Sequence, residues 1–95
     1  MDESKIRAKM HEILDLVLDI NGMLPRAQED TGNAPTAFFF FSGHVADVEV
    51  SVHEKGWYAF ADPDYKSLIR LRDLENNETD SLIEYLKSIK EKENV

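Results

Sequence analysis

From position 6 the apolar residues fall at Ile6, Met10, Ile13, Val17, Ile20 and Leu24, alternately four and three apart. That period gathers them on one face of a helix. Leu14, Leu16 and Leu18 widen the stripe, so this helix is expected to be covered on more than one side. Asp2, Glu3 or Ser4 caps its start, and Asn21-Gly22 is a stop, because glycine accepts the left-handed conformation that ends a helix. Residues 23–35 hold Pro25, Pro35 and Thr31-Gly32-Asn33, and read as a loop.

The period then shortens to two. Residues 36–41, with four consecutive phenylalanines, have the composition of a strand, and Ser42-Gly43-His44 makes a compact turn. Across 45–53, Ala46, Val48, Val50 and Val52 alternate with Asp47, Glu49, Ser51 and His53, the signature of a half-buried strand. Lys55-Gly56 ends it. Residues 57–65 read as an aromatic loop turned by Asp62-Pro63-Asp64. Residues 66–74 fit a strand or a short helical turn. The strand reading points Ile69 and Leu71 inward and sets Arg70 and Arg72 across from Asp47 and Glu49, where opposite charges support an antiparallel pair.

A second helix follows, capped from Asn77-Glu78-Thr79-Asp80 and carrying Leu82, Leu86 and Ile89 as its stripe, flanked by Ile83 and Tyr85. Lys87, Lys90 and Lys92 suit the negative end of its dipole. The prediction is a single α+β domain over residues 1–95. It consists of a helix, a three-stranded antiparallel β-meander and a helix (α-β-β-β-α), with both helices on one sheet face.

A length of 95 residues bounds one domain, and at 42% hydrophobic residues a packed core needs no covalent staples. The chain has no cysteine, opens without a basic leader and has no apolar stretch longer than residues 37–41, so a cytoplasmic, membrane-free setting is expected. The net charge of −8 argues against direct nucleic-acid binding, which needs clustered Lys and Arg. That charge is unevenly placed. Residues 10–64 hold ten acids against two bases, Arg26 and Lys55, whereas the remainder balances at nine of each.

Candidate chemistry is sparse. His11, His44 and His53 lack ligand spacing and have no thiol to join them, so no metal site is expected. His44 near Asp47 and His53 beside Glu54 would form acid–base pairs only in a shared pocket. Asp62-Pro63-Asp64 does not match a calcium loop, and Ser42-Gly43-His44 lacks a nucleophile elbow. The isolated glycines build no phosphate cradle, and Asn77-Glu78-Thr79 matches a glycosylation sequon but reads as a helix cap. The expectation is a non-enzyme without a cofactor.

Two surfaces carry more weight. In a strand Phe38 and Phe40 face away from Phe39 and Phe41, and only one of those faces can meet the helices. The outer pair is either covered by Trp57, Tyr58 and Phe60 folding back, or forms with Trp57 and Tyr58 a surface for a partner or a second copy. On the first helix Glu12, Asp15 and Asp19 fall at i, i+3 and i+7, and Glu29 and Asp30 could extend them into a negative ridge. Such a ridge is either ordinary solvation or a phosphate-backbone mimic offered to a basic nucleic-acid-binding protein.

Pro35-Thr36-Ala37-Phe38-Phe39, Ser42-Gly43-His44-Val45, Val48-x-Val50-x-Val52 and Gly56-Trp57 together resemble small uncharacterised phage and prophage proteins, over roughly a third of the chain. The resemblance implies an accessory or anti-defence role and no assigned activity. The leading expectation is therefore an acidic protein-interaction module, such as a phage-type inhibitor of the anti-CRISPR kind, binding a basic host protein. The alternatives are a homodimeric assembly protein joined through the Phe-rich strand, and a small ligand-binding domain or enzyme using His44 and His53.

Overall fold

The computed structural model describes residues 2–74 and 79–93. Helix α1 spans Glu3–Asn21. Asp2 caps it, its carboxylate accepting from the Lys5 N–H at 3.0 Å and the Ser4 hydroxyl at 2.7 Å. The Ser4 hydroxyl first, then the Lys5 amide, holds the Asp2 carboxyl below its ordinary range. Gly22, at φ 72°, closes the helix by donating its N–H to the Leu18 carbonyl. A four-residue helix α2, Gln28–Thr31, interrupts the segment expected to be all loop. Strands β1 (Thr36–Ser42), β2 (Asp47–His53) and β3 (Tyr65–Arg70) follow, then a 3-10 turn at Leu71–Asp73 and helix α3 (Asp80–Glu93). Asp80 opens α3 as expected, while the Asn77-Glu78 part of the expected cap lies outside the described residues.

The sheet is antiparallel in the order β1-β2-β3, so the α-β-β-β-α architecture expected from the sequence is the one observed. Ala37, Phe39 and Phe41 lie opposite Val52, Val50 and Val48, and Ile69 lies opposite Val48 from the other side. This valine face is buried against Ile13, Val17 and Ile20 of α1 and Leu82, Leu86 and Ile89 of α3. Two ion pairs, Lys9 to Asp80 at 3.4 Å and Lys90 to Asp19 at 2.9 Å, join the helices at the same sequence offset, so α1 and α3 run side by side in the same direction.

Several local expectations are corrected. β2 begins at Asp47 rather than at residue 45. Ala46 adopts φ 55°, so the connection is a four-residue loop, 43–46. Residues 66–74 combine the two readings, with strand pairing to Arg70 and a 3-10 turn beyond it. Arg70 does face Asp47, but Glu49 lies opposite Leu68 and takes its cation from Lys66, at 2.9 Å, not from Arg72. On α1 Leu16 is buried, Leu18 is partly covered and Leu14 is exposed. Leu24 lies past the helix end and is 81% exposed.

Asn21 ties the end of α1 to the sheet. Its carboxamide donates to the Ala37 carbonyl at 2.7 Å and accepts from the Ala37 N–H at 2.8 Å, taking the place of a neighbouring strand at one residue of β1. Removing it strands both groups in a part-buried position, so Asn21→Ala is expected to cost about 2 kcal/mol. Urea unfolding of the variant against the parent measures this. A loss under about 0.5 kcal/mol would mean that water replaces the amide.

Candidate interaction surface

The outer face of the sheet begins with the side chains that cross-strand pairing places there: Phe38 beside Ser51, Phe40 beside Glu49, and Leu68 across from Glu49 on β3. The Phe38 and Phe40 rings are parallel, with centroids 6.0 Å apart. Phe38 also meets the His53 ring edge-on at 5.6 Å. His53 is thereby buried at 6% exposure, an aromatic-packed strand end rather than a solvent-facing imidazole. Phe38, Phe40 and His53, with Trp57, Pro63 and Lys66, border a shallow depression of about 260 Å³.

Trp57 reaches this position through α2. The Trp57 carbonyl accepts from the Gln28 N–H at 2.6 Å, the Gln28 side chain donates to the Lys55 carbonyl at 3.0 Å, and Ala27 bridges Trp57 in parallel. Asp64 secures the return, its carboxylate accepting from the Glu54 N–H at 2.7 Å. Of the loop aromatics expected to fold back, however, only Trp57 approaches the phenylalanines. Tyr58 is more than half exposed and Phe60 wholly so. The outer face is thus trimmed by Trp57 and left open. Met23 and Leu24, both about four-fifths exposed, continue the apolar surface past Trp57 at the start of β1.

The acidic residues are less unified. Glu12, Lys9 and Asp19 share the side of α1 turned toward α3, by the 100° step of a helix. Glu12 is accordingly half-buried, and Asp19 is engaged by Lys90. Asp15 is exposed. Glu29 and Asp30 ride on α2, which is bonded to Lys55 and Trp57. The ridge expected from sequence is therefore divided, and one of its members is neutralised.

The histidines do not converge. His44 is exposed in the 43–46 loop and His53 is buried at the far end of β2, roughly 20 Å away by strand rise. Among the described residues no cluster of three His, Asp or Glu could hold a metal ion, and no helix is long and apolar enough to cross a membrane. Besides Asp2, two groups with displaced titration are structural. Burial lowers the Arg26 guanidinium, which donates to the Pro35 carbonyl at 2.7 Å and the Asn21 carbonyl at 3.1 Å. Burial, and then the nearby Glu54 carboxylate, raises the Tyr85 phenol well above its ordinary value, and its ring stacks on Tyr65 at 3.9 Å.

One feature was not foreseen. On the helix side, Met10 and Leu14 of α1 stand off from Phe39 and Phe41, leaving a groove of about 540 Å³ rimmed by Arg7, His11 and Arg72. The sequence carries little signal for it: Phe41 pairs with Val48 near the end of β1, and Ile6, Met10 and Leu14 of α1 line the gap without closing over it. Against known protein families, curated proteins and solved structures, the chain has no match.

Proposed function

We propose that this chain is a non-enzymatic interaction module that binds another protein through the outer face of its sheet. The observation that supports this is the exposure of Phe40 and Leu68, each more than half open on that face, beside a Trp57 fixed by α2, with Tyr58 exposed next to it in the chain. Aromatic side chains presented on a rigid sheet are suited to anchor a partner, since little conformational freedom is lost on binding. A photo-crosslinking phenylalanine analogue placed at Tyr58 or Leu68 is expected to capture one discrete protein in cells. The same probe at Glu84, exposed on α3, should capture none. Equal, diffuse labelling from all three positions would end the proposal.

A second reading, an inhibitor that offers its acids to a basic nucleic-acid-binding protein, draws on Asp15, Glu29 and Asp30. These are exposed and have no ion pair among the described residues. Reversing the three to Lys would then abolish a salt-sensitive complex, whereas the aromatic reading expects the complex to survive.

A further inference from the structure

Phe40 and Phe41 are 54% and 59% exposed, and they point to opposite faces of the sheet. A partner lying on the outer face covers Phe40 alone, and one lying in the helix-side groove covers Phe41 alone. Only an occupant at the edge of β1 reaches both.

That edge is open over a defined length. β1 is the first strand of the sheet, and both main-chain groups of Ala37 are turned away from β2 toward Asn21. Antiparallel alternation then turns the N–H and C=O of Phe39 and Phe41 the same way. Among the described residues nothing bonds to them. The strand TAFFFFS also lacks the proline and the charges that usually protect such an edge.

We infer that β1 pairs with β1 of a second copy, antiparallel, about a two-fold axis at Phe40. The free stretch selects this occupant because it is self-complementary. Phe39 opposite Phe41 of the partner copy, and the reverse, completes four main-chain hydrogen bonds and leaves no edge group unpaired. Phe41 of each copy then enters the groove beside Leu14 and Phe39 of the other, while the Phe38 and Phe40 rings of both merge on the outer face. The register also brings the 43–46 loop of each copy to the Ala37 end of the other, where Met23 and Leu24 stand exposed. The strand is uncharged, so two chains of −8 can approach along it, and higher salt should strengthen the pair. The contact is small, on the order of 1,000 Å² in total, which fits a dissociation constant in the micromolar range or weaker. This inference stands on the strand edge, and the partner-binding proposal does not depend on it.

Sedimentation equilibrium of the full chain is expected to show the average mass rising from one protomer toward two over roughly 10–500 µM, with the midpoint falling as salt is raised. Register is read by single cysteines, since the chain has none of its own. Phe40→Cys lies within about 4.5 Å of its counterpart (Cα to Cα) and should form a covalent dimer under mild oxidation. Phe38→Cys, roughly 13 Å from its own counterpart, should not. A single-protomer mass at every concentration and salt overturns the inference and leaves the partner-binding proposal intact. So does a dimer in which Phe38→Cys cross-links as readily as Phe40→Cys. Conversely, a salt-strengthened dimer cross-linked at Phe40→Cys alone supports it even if Tyr58 captures no partner.

Discussion

Gly56→Ala is expected to destabilise the fold by about 3 kcal/mol or more, although it adds one methyl group. Gly56 sits at φ 92°, a conformation that costs an L-residue about 1–3 kcal/mol. The added Cβ would also lie 2.5 Å from the Gly32 carbonyl oxygen and 3.2 Å from the Gln28 side chain. The carbonyl belongs to the backbone that ends α2, so relief requires α2 to move away. That movement puts at risk the hydrogen bonds from Gln28 to Trp57 and Lys55, each worth about 1 kcal/mol. Gly22→Ala separates the two causes. At φ 72° and ψ −165° it is strained for an L-residue but has nothing within 4 Å of the added carbon, so it should cost the conformational share alone, about 1–3 kcal/mol. Urea unfolding measures both variants, and Trp57 fluorescence should shift early in Gly56→Ala because the indole depends on α2. Equal losses at the two glycines would show that the close approach contributes nothing.

Ile13→Ala is expected to cost about 3–4 kcal/mol, the transfer free energy of three buried carbons plus a further part for the cavity left behind. Ile13 is wholly buried where α1 meets both the valine face and α3, so no single neighbour can relax into the space. A 95-residue domain holds only about 5–14 kcal/mol in total, and the melting temperature should fall by roughly 15–25 °C. Ile6→Ala, at the open groove where Ile6 is only partly covered, should cost about 1 kcal/mol. If the two losses were similar, the core would extend to the start of α1 and the groove would be closed in solution.

What could be read from the residues was what local repetition encodes. The alternation at Val48, Val50 and Val52 and the four-three spacing from Ile6 each report one buried face, and both faces are where they were expected. The ambiguity at 66–74 arose because KSLIRLRDL suits either period. The outcome is decided by β2, whose last partner on that side is Asp47 opposite Arg70, after which Leu71 donates its N–H to Ala46 and the chain turns. Lys66 rather than Arg72 meets Glu49 for the same reason, since register comes from the other strand. The charge block over residues 10–64 was real along the chain but is not a block in space, because α3 brings Lys90 to Asp19. The candidate surface was half legible. Four phenylalanines in a row announce that one pair must face outward. That Trp57 alone would approach them depends on α2, a helix too short to carry a period.

The carboxamide of Asn21 also bears on how far such sheets can grow. A run like AFFFFS, with high β-propensity and neither proline nor charge, is the composition from which amyloid ladders extend. Here the ladder has a stop built in at Ala37, while the opposite edge, β3, carries Lys66 and Arg70. A pairing event at β1 uses up the unguarded stretch and offers none in return. Stacking should therefore end at the first partner, and this side chain, at the end of a helix, keeps a sticky strand from becoming a template.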